Sequence, residues 1–250
     1  IDVSEYQEKI DWAAVKAGGF DFAFIRIGYR GYTNGEIFPD DLARENLAGA
    51  KAAGIDVGVY FYSQAVSPEE AAAEARWCLE FLGSEMLDLP LVYDWEYVSS
   101  TSRTANMDSR TLTDCTRAFC RQVEYHGYRP MVYFNTSQGR DLLDLEQLDQ
   151  YPWWLAKYDL SAEFLCRVDL WQYTDQGALQ NVYTGKYIQN QPDESHIFTT
   201  GTNVQVVSFT QQSDGHLGIN TNGNQLHCNS GHNVVKWWDN GNEGNHWIVE

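Results

Sequence analysis

Short apolar, β-rich runs recur along the first part of the chain, at Ile1–Val3, Phe22–Gly28, Asp56–Ser63, Pro90–Glu96, Arg129–Asn135, Trp153–Lys157 and Val168–Tyr173. Runs of this length, apolar on both faces, read as buried parallel strands. The segments between them carry helical signals. Ser67-Pro68-Glu69-Glu70 opens an Ala-rich stretch as a capping box with Pro in the first turn, predicting a helix to about Leu82. Pro39–Ala53, ended by Gly54, and Thr111–His126, ended by Gly127, predict two more. Strand, helix, strand in repetition predicts a parallel sheet closed as a barrel, with active groups at the C-terminal ends of its strands. After the fifth run the intervals shorten and leave little room for helices.

Near residue 180 the pattern changes. Residues 181–250 hold two of the 17 Lys and Arg, eleven Asn, many Gly and Thr, and no long helical period. A 30-residue repeat runs through them without gaps: Gly185, Asn190, Gly201, Asn203 and Val204 recur as Gly215, Asn220, Gly231, Asn233 and Val234. Strand-and-turn units of this kind read as a small all-β module. The expected division is therefore a barrel over 1–178 and a repeat module over 181–250.

Composition narrows the function classes. With 43% hydrophobic and 14% aromatic residues in 250, the chain can bury a core. It has no apolar run of about 18 residues, so no membrane-inserted helix is expected. A net charge of −18 argues against nucleic acid and against an anionic membrane surface. The five cysteines (Cys78, Cys115, Cys120, Cys166, Cys228) form no CxxC pair or metal-finger spacing and are expected as buried free thiols, at least one necessarily unpaired. No metal and no cofactor is expected. The chain begins at Ile1 rather than Met, so any leader is expected to have been removed or left out. His126 is the only histidine before His196, which leaves carboxylates to carry any chemistry in the barrel.

The fourth run supplies them. In Leu91-Val92-Tyr93-Asp94-Trp95-Glu96, alternation along a strand puts Asp94 and Glu96 on one side, about 7 Å apart at the backbone, at the C-terminal end. Asp2, on the first strand, can add a third carboxylate. Crowded like charges raise at least one pKa and keep a protonated acid beside ionised neighbours, the combination glycosidic cleavage requires. An ion pair with Arg26 is the alternative reading of the same spacing. Tyr60 and Tyr62 on the third strand, Tyr133 on the fifth, Trp154 on the sixth, and Trp171 and Tyr173 on the seventh are candidate walls of a saccharide groove. Core packing is the alternative for each.

The ordered series Ile1-Asp2-Val3-Ser4, Asp11-Trp12, Phe24-Ile25-Arg26, Gly58-Val59-Tyr60-Phe61-Tyr62-Ser63, Asp94-Trp95-Glu96, Tyr133-Phe134-Asn135, Trp154-Leu155-Ala156 and Trp171-Gln172-Tyr173-Thr174 resembles glycoside hydrolase family 25, over about residues 1–177. The resemblance implies an irregular (β/α) barrel of five β/α units plus strands. It also implies a lysozyme acting on the β-1,4 bond between N-acetylmuramic acid and N-acetylglucosamine of bacterial peptidoglycan. On that resemblance Glu96 is the general acid, Asp94 its partner and Asp2 the completion of the acidic floor. The family's eighth-strand Asp-x-Asn motif does not follow Trp171-Gln172-Tyr173; the chain runs on into the Asn-rich module.

That module resembles ricin-type β-trefoil repeats at Gly185-Lys186-Tyr187-Ile188 and Asn245-His246-Trp247-Ile248, with two repeats where a trefoil has three. The resemblance implies glycan or cell-wall binding, with Trp237 and Trp238 as stacking candidates. The leading expectation is a secreted, wall-associated, monomeric muramidase. The alternative is a non-catalytic glycan-binding protein on a degenerate barrel, which would have no need of three clustered acids.

Overall fold

Eight strands of the first part of the chain form one sheet: β1 (Asp2–Val3), β2 (Phe22–Arg30), β3 (Ile37–Pro39), β4 (Asp56–Ser63), β5 (Leu91–Trp95), β6 (Pro130–Asn135), β7 (Trp153–Ala156) and β8 (Leu170–Gln172). The computed structural model describes residues 1–159 and 161–174, and beyond them the backbone of four strands. The sheet order is β1-β2-β4-β5-β6-β7-β8, every neighbouring pair parallel, with β3 antiparallel on β2. Helices α1 (Trp12–Ala17), α2 (Ala43–Ala52), α3 (Pro68–Leu82), α4 (Ser109–Tyr125) and α5 (Thr136–Asp141) fill the crossovers.

The caps explain where the helices start. Ser67 accepts from the Glu70 N–H with Pro68 in the first turn, and Asp108 accepts from the Thr111 N–H. Just past the helices, Gly83 (φ 59°) and Gly127 (φ 84°) take the left-handed conformation that glycine adopts without steric cost. On α3, Ala71, Ala75, Cys78 and Leu82 recur on one face and are buried with the outward-facing residues of the sheet.

Two apolar cores result. The larger lies between sheet and helices, around Ile25, Ile27, Val59, Phe61, Tyr93, Phe119, Val132 and Leu155. The smaller lies on the other face of the same strands, where Phe24, Val92, Met131 and Trp154 pack with Tyr60, Leu89, Tyr133 and Leu170. Gly58 faces this inner cluster, and a Cβ there would overlap the Phe24 ring. The inner cluster is the floor beneath the acidic residues.

Three expectations are corrected. Among the described residues β8 does not pair with β1, so the sheet is a parallel half-barrel and not a closed barrel. The helix expected from Pro39 begins at Ala43, because Ile37–Pro39 pairs with Gly28–Arg30. The Asp40 carboxylate then turns the chain by accepting from the Leu42 N–H. The fourth run of the sequence, β5, ends at Trp95 and not at Glu96, for a reason that lies in the site itself.

Cys78, Cys115 and Cys120 are buried free thiols, and Cys166 is free and half-buried. The chain divides into two units, Ile1–Asp175 and Gln176–Glu250. In the second, β9 (Val207–Gln211), β10 (Leu217–Thr221), β11 (Asn224–Cys228) and β12 (Val235–Trp238) form an antiparallel meander, with Leu226 opposite Trp237 and Gln225 opposite Trp238. Gly185, Gly215, Asn233 and most other repeat positions lie outside the described residues.

Candidate active site

In-register parallel neighbours point the same way. Tyr62 pairs with Asp94, Asp94 with Tyr133, Tyr133 with Trp154 and Trp154 with Leu170. The inner face of the half-barrel therefore carries Asp94 among tyrosines, above the inner apolar cluster. Asp94 is buried, with Oδ1 unpartnered among the described residues.

The main chain beyond Asp94 is held by side chains. Gln138 Nε2 donates to the Trp95 carbonyl, and Gln64 Nε2 donates to the Glu96 carbonyl at 2.7 Å. Both glutamines are buried. These donors replace the neighbouring strand, which is why the ladder stops at Trp95 and Glu96 projects from a fixed but non-strand position. Gln64 is itself fixed: its Oε1 accepts from Thr104 Oγ1 at 3.1 Å.

The Asp94 and Glu96 carboxyls lie close enough to act on each other's affinity for protons. Burial pushes the Asp94 pKa well up, and the charges of Glu96 and then Asp2 add to it, against a smaller opposing pull from Arg26. Burial, and then the charge of Asp2, also raise Glu96, while its side-chain contact with Asp94 works the other way. Two carboxyls so placed titrate as a pair, both with their affinity for protons raised.

Arg26 does not pair with Asp94. Its Nε donates to Asp40 at 2.9 Å and its Nη2 to Glu5 at 3.1 Å, so the guanidinium is already satisfied by two other acids. The ion-pair alternative for the acidic dyad fails on this geometry.

Asp2 is held from the far edge of the sheet. Gln172 Nε2 donates to Asp2 Oδ2 at 3.0 Å, and Gln172 Oε1 accepts from Tyr133 at 3.1 Å and Tyr158 at 3.2 Å. The phenols of Tyr60, Tyr62 and Tyr133 are all pushed up, by burial first and then by these carboxylates, so they stay neutral hydrogen-bonding groups.

Of the predicted aromatics, Tyr62 and Tyr133 stand beside Asp94 in register, and Tyr60 packs on the inner cluster. Trp154 is buried within that cluster, its ring 4.8 Å from Phe24 and 5.2 Å from Tyr133. Trp171 lies on the opposite face of β8, with Nε1 donating to the Lys157 carbonyl, and the inward residue there is Gln172. Strand alternation from Leu170 was the signal for Gln172. Gln64 and Gln138 carried no such signal, because nothing local reveals a side chain bonded to a distant carbonyl. Tyr6, Tyr97 and Tyr158 are exposed just beyond the ends of strands and were not singled out by the sequence.

Residues 1–182 match the sequence pattern of glycosyl hydrolases family 25. The uncharacterized protein YegX of Escherichia coli strain K12 is 27% identical over 84% of this chain and 72% of its own length. The autolytic lysozyme of Clostridium acetobutylicum is 26% identical over 73% of this chain and 52% of its length. Among solved structures, the modular autolysin LytC of Streptococcus pneumoniae superposes with a TM-score of 0.60 at 27% identity, over 70% of this chain and 42% of that one. This chain thus spans about half of the lysozyme, and less of the autolysin. A parallel half-barrel, an acidic pair at the end of its central strand and the matched sequence pattern agree: the chain belongs to glycosyl hydrolases family 25.

Proposed function

We propose that the chain is a peptidoglycan hydrolase of the lysozyme type, cutting the β-1,4 bond between N-acetylmuramic acid and N-acetylglucosamine. One observation carries the reading. A buried Asp94 stands with the less buried Glu96 at the C-terminal end of β5, both pushed toward holding protons, and Arg26 is bonded to Asp40 and Glu5 instead.

In this reading Asp94 is the proton's resting place and Glu96 the group that reaches the substrate. Transfer between them arms Glu96 and leaves Asp94 ionised. Glu96 then protonates the leaving glycosidic oxygen as the C1–O bond breaks. Asp94 stabilises the oxocarbenium-like centre, either by orienting the substrate's acetamido group for internal attack or by activating water. Water finally supplies hydroxide to C1 and a proton to the pair. Internal attack retains the anomeric configuration and direct attack inverts it, so the first product read by proton NMR assigns the route. Asp2 keeps the pair's affinity for its proton high. Tyr62 and Tyr133 form the inner wall, Tyr60 and Trp154 its floor, and exposed Tyr97 and Tyr158 offer ring faces to sugars.

The site of action is outside the cell, on bacterial wall, and residues 181–250 are a glycan- or wall-binding module in this reading. The deciding assay is loss of turbidity of purified walls, with mass analysis of the fragments. Muropeptides with new reducing ends at N-acetylmuramic acid support the reading. Binding without any cleavage supports the non-catalytic alternative.

A further inference from the structure

The half-barrel has an open seam between its first and last described strands, and one side chain crosses it. Gln172, at the end of β8, makes three hydrogen bonds that are all directional. Its Oε1 accepts the hydroxyl protons of Tyr133, from β6, and Tyr158, from the segment after β7, and its Nε2 donates to Asp2 on β1, 170 residues away in sequence. The Asp2 carboxylate settles which end of the amide faces which way, since it can only accept, which leaves Oε1 to accept from two phenols that can donate. The N–H end is thereby directed at Asp2.

We propose that Gln172 is a positioning residue: it fixes the Asp2 carboxylate toward the Asp94–Glu96 pair by bridging β8 to β1, which do not pair with each other among the described residues. The proposal rests on the reading of this site as a glycosidase site but reaches beyond it, since neither the chemistry nor the aromatic groove requires a glutamine here. An N–H bonds a carboxylate oxygen more strongly than a neutral one, so this contact orients Asp2 as well as anchoring it. The charge of Asp2 raises both members of the pair, so where it is held bears on their proton. Gln172 thus acts on the pair through Asp2, and through Tyr133 it ties the same amide to the wall beside Asp94.

The test uses the full chain. In the wild-type protein carbon-13 NMR of the carboxyls should record the raised titrations of Asp94 and Glu96. Q172E keeps the acceptor for the two tyrosines and replaces the donor by an oxygen facing Asp2. It should repel the Asp2 carboxylate from its place and shift the titrations of Asp94 and Glu96 from their wild-type positions. On purified walls it should lower kcat about tenfold or more with KM within about twofold, as expected when a group that touches no substrate is disturbed. Q172M, which removes donor and acceptor together, should release Asp2 and move the titrations of Asp94 and Glu96 to lower pH. A merely structural glutamine would lower thermal stability and activity in step and leave the carboxyl titrations in place. Unchanged titrations of Asp94 and Glu96 in both variants would overturn the proposal. The NMR arms need no activity: a wild type that cleaves nothing defeats the glycosidase reading alone, and the Gln172–Asp2 coupling is still decided.

Discussion

The amide nitrogen of Gln64 stands 2.7 Å from the main-chain oxygen of Glu96, a bond from a fully buried side chain to the backbone of the proposed acid. Gln64 also donates to the Ser63 carbonyl and accepts from Thr104. Arg103 adds to the same anchorage by donating to the Gln64 carbonyl at 2.9 Å and to both oxygens of Glu70. The position of Glu96 is thus set by the end of β4 and the segment after β5, not by its own strand. Gln64→Leu should leave buried carbonyls unsatisfied and cost about 1–3 kcal/mol of stability. Urea unfolding read by tryptophan fluorescence checks the cost, and kcat should fall more than KM rises because Glu96 loses its fixed direction.

Glu96→Gln is isosteric but has no proton to give to the leaving oxygen. Wall-lytic activity should fall by about two to four orders of magnitude with the circular dichroism spectrum and Tm preserved. A variant keeping more than about a tenth of wild-type activity would contradict the assignment of the acid. Asp94→Asn should be comparably severe.

Asp2→Asn removes a charge that raises both members of the pair. Their proton should then be lost at lower pH, so the alkaline limb of the pH–rate profile should move down while the maximal rate falls less than in Glu96→Gln. Wild-type activity should be greatest on the acidic side of neutral and decline as the pair ionises with rising pH. A rate that climbs steadily into the alkaline range would count against a shared catalytic proton.

Glu74 offers a signed stability test away from the site. It is a buried residue of α3, with Arg30 Nε at 2.5 Å and Ser63 Oγ at 2.6 Å, and burial pushes its pKa up to about 7 against both partners. Because the folded-state pKa is raised, the folded chain holds a proton that the unfolded chain has lost between the ordinary carboxylate range and about 7. Its stability contribution is therefore greatest at low pH and declines as pH rises through that window. Glu74→Gln should flatten the decline by up to about 1.4 kcal/mol per pH unit in urea unfolding series.

Residues 181–250 contain no acidic pair on one strand and are proposed to bind, not to cleave. A chain ending at residue 182 should remain active on short soluble muropeptides and lose activity on insoluble wall, because a tethered binder raises local concentration only where there is a surface to bind. Equal loss on both substrates would instead make the second unit part of the catalytic fold.

Much of this architecture was legible from local rules. Alternation of apolar runs with capped helical segments located the strands on either side of Asp94. The same alternation put Asp94 and Glu96 on one side, and counted from Leu170 it would have turned Gln172 inward in place of Trp171, because side-chain direction along a strand is a property of the backbone. The carboxylate pair itself was visible as Asp94-Trp95-Glu96. Crowded like charges already predicted a raised affinity for protons, although burial, which only the fold supplies, is the larger cause.

What the sequence could not determine were the partners supplied from a distance. Arg26 lies close enough to Asp94 to exert a pull on it, yet its hydrogen bonds go to Asp40 and Glu5; only the placing of the turn after β3 decides that. Nothing around Gln64 or Gln138 announces that each will hold a carbonyl beyond β5. Nor does the motif Trp171-Gln172-Tyr173 disclose that its glutamine reaches Asp2, or that Trp154 is packed into the floor. Local patterns record which way a residue faces, since that depends on its own φ and ψ. Which donor satisfies a given acid depends on which strands the crossovers bring together, and that is set only when the whole sheet is assembled.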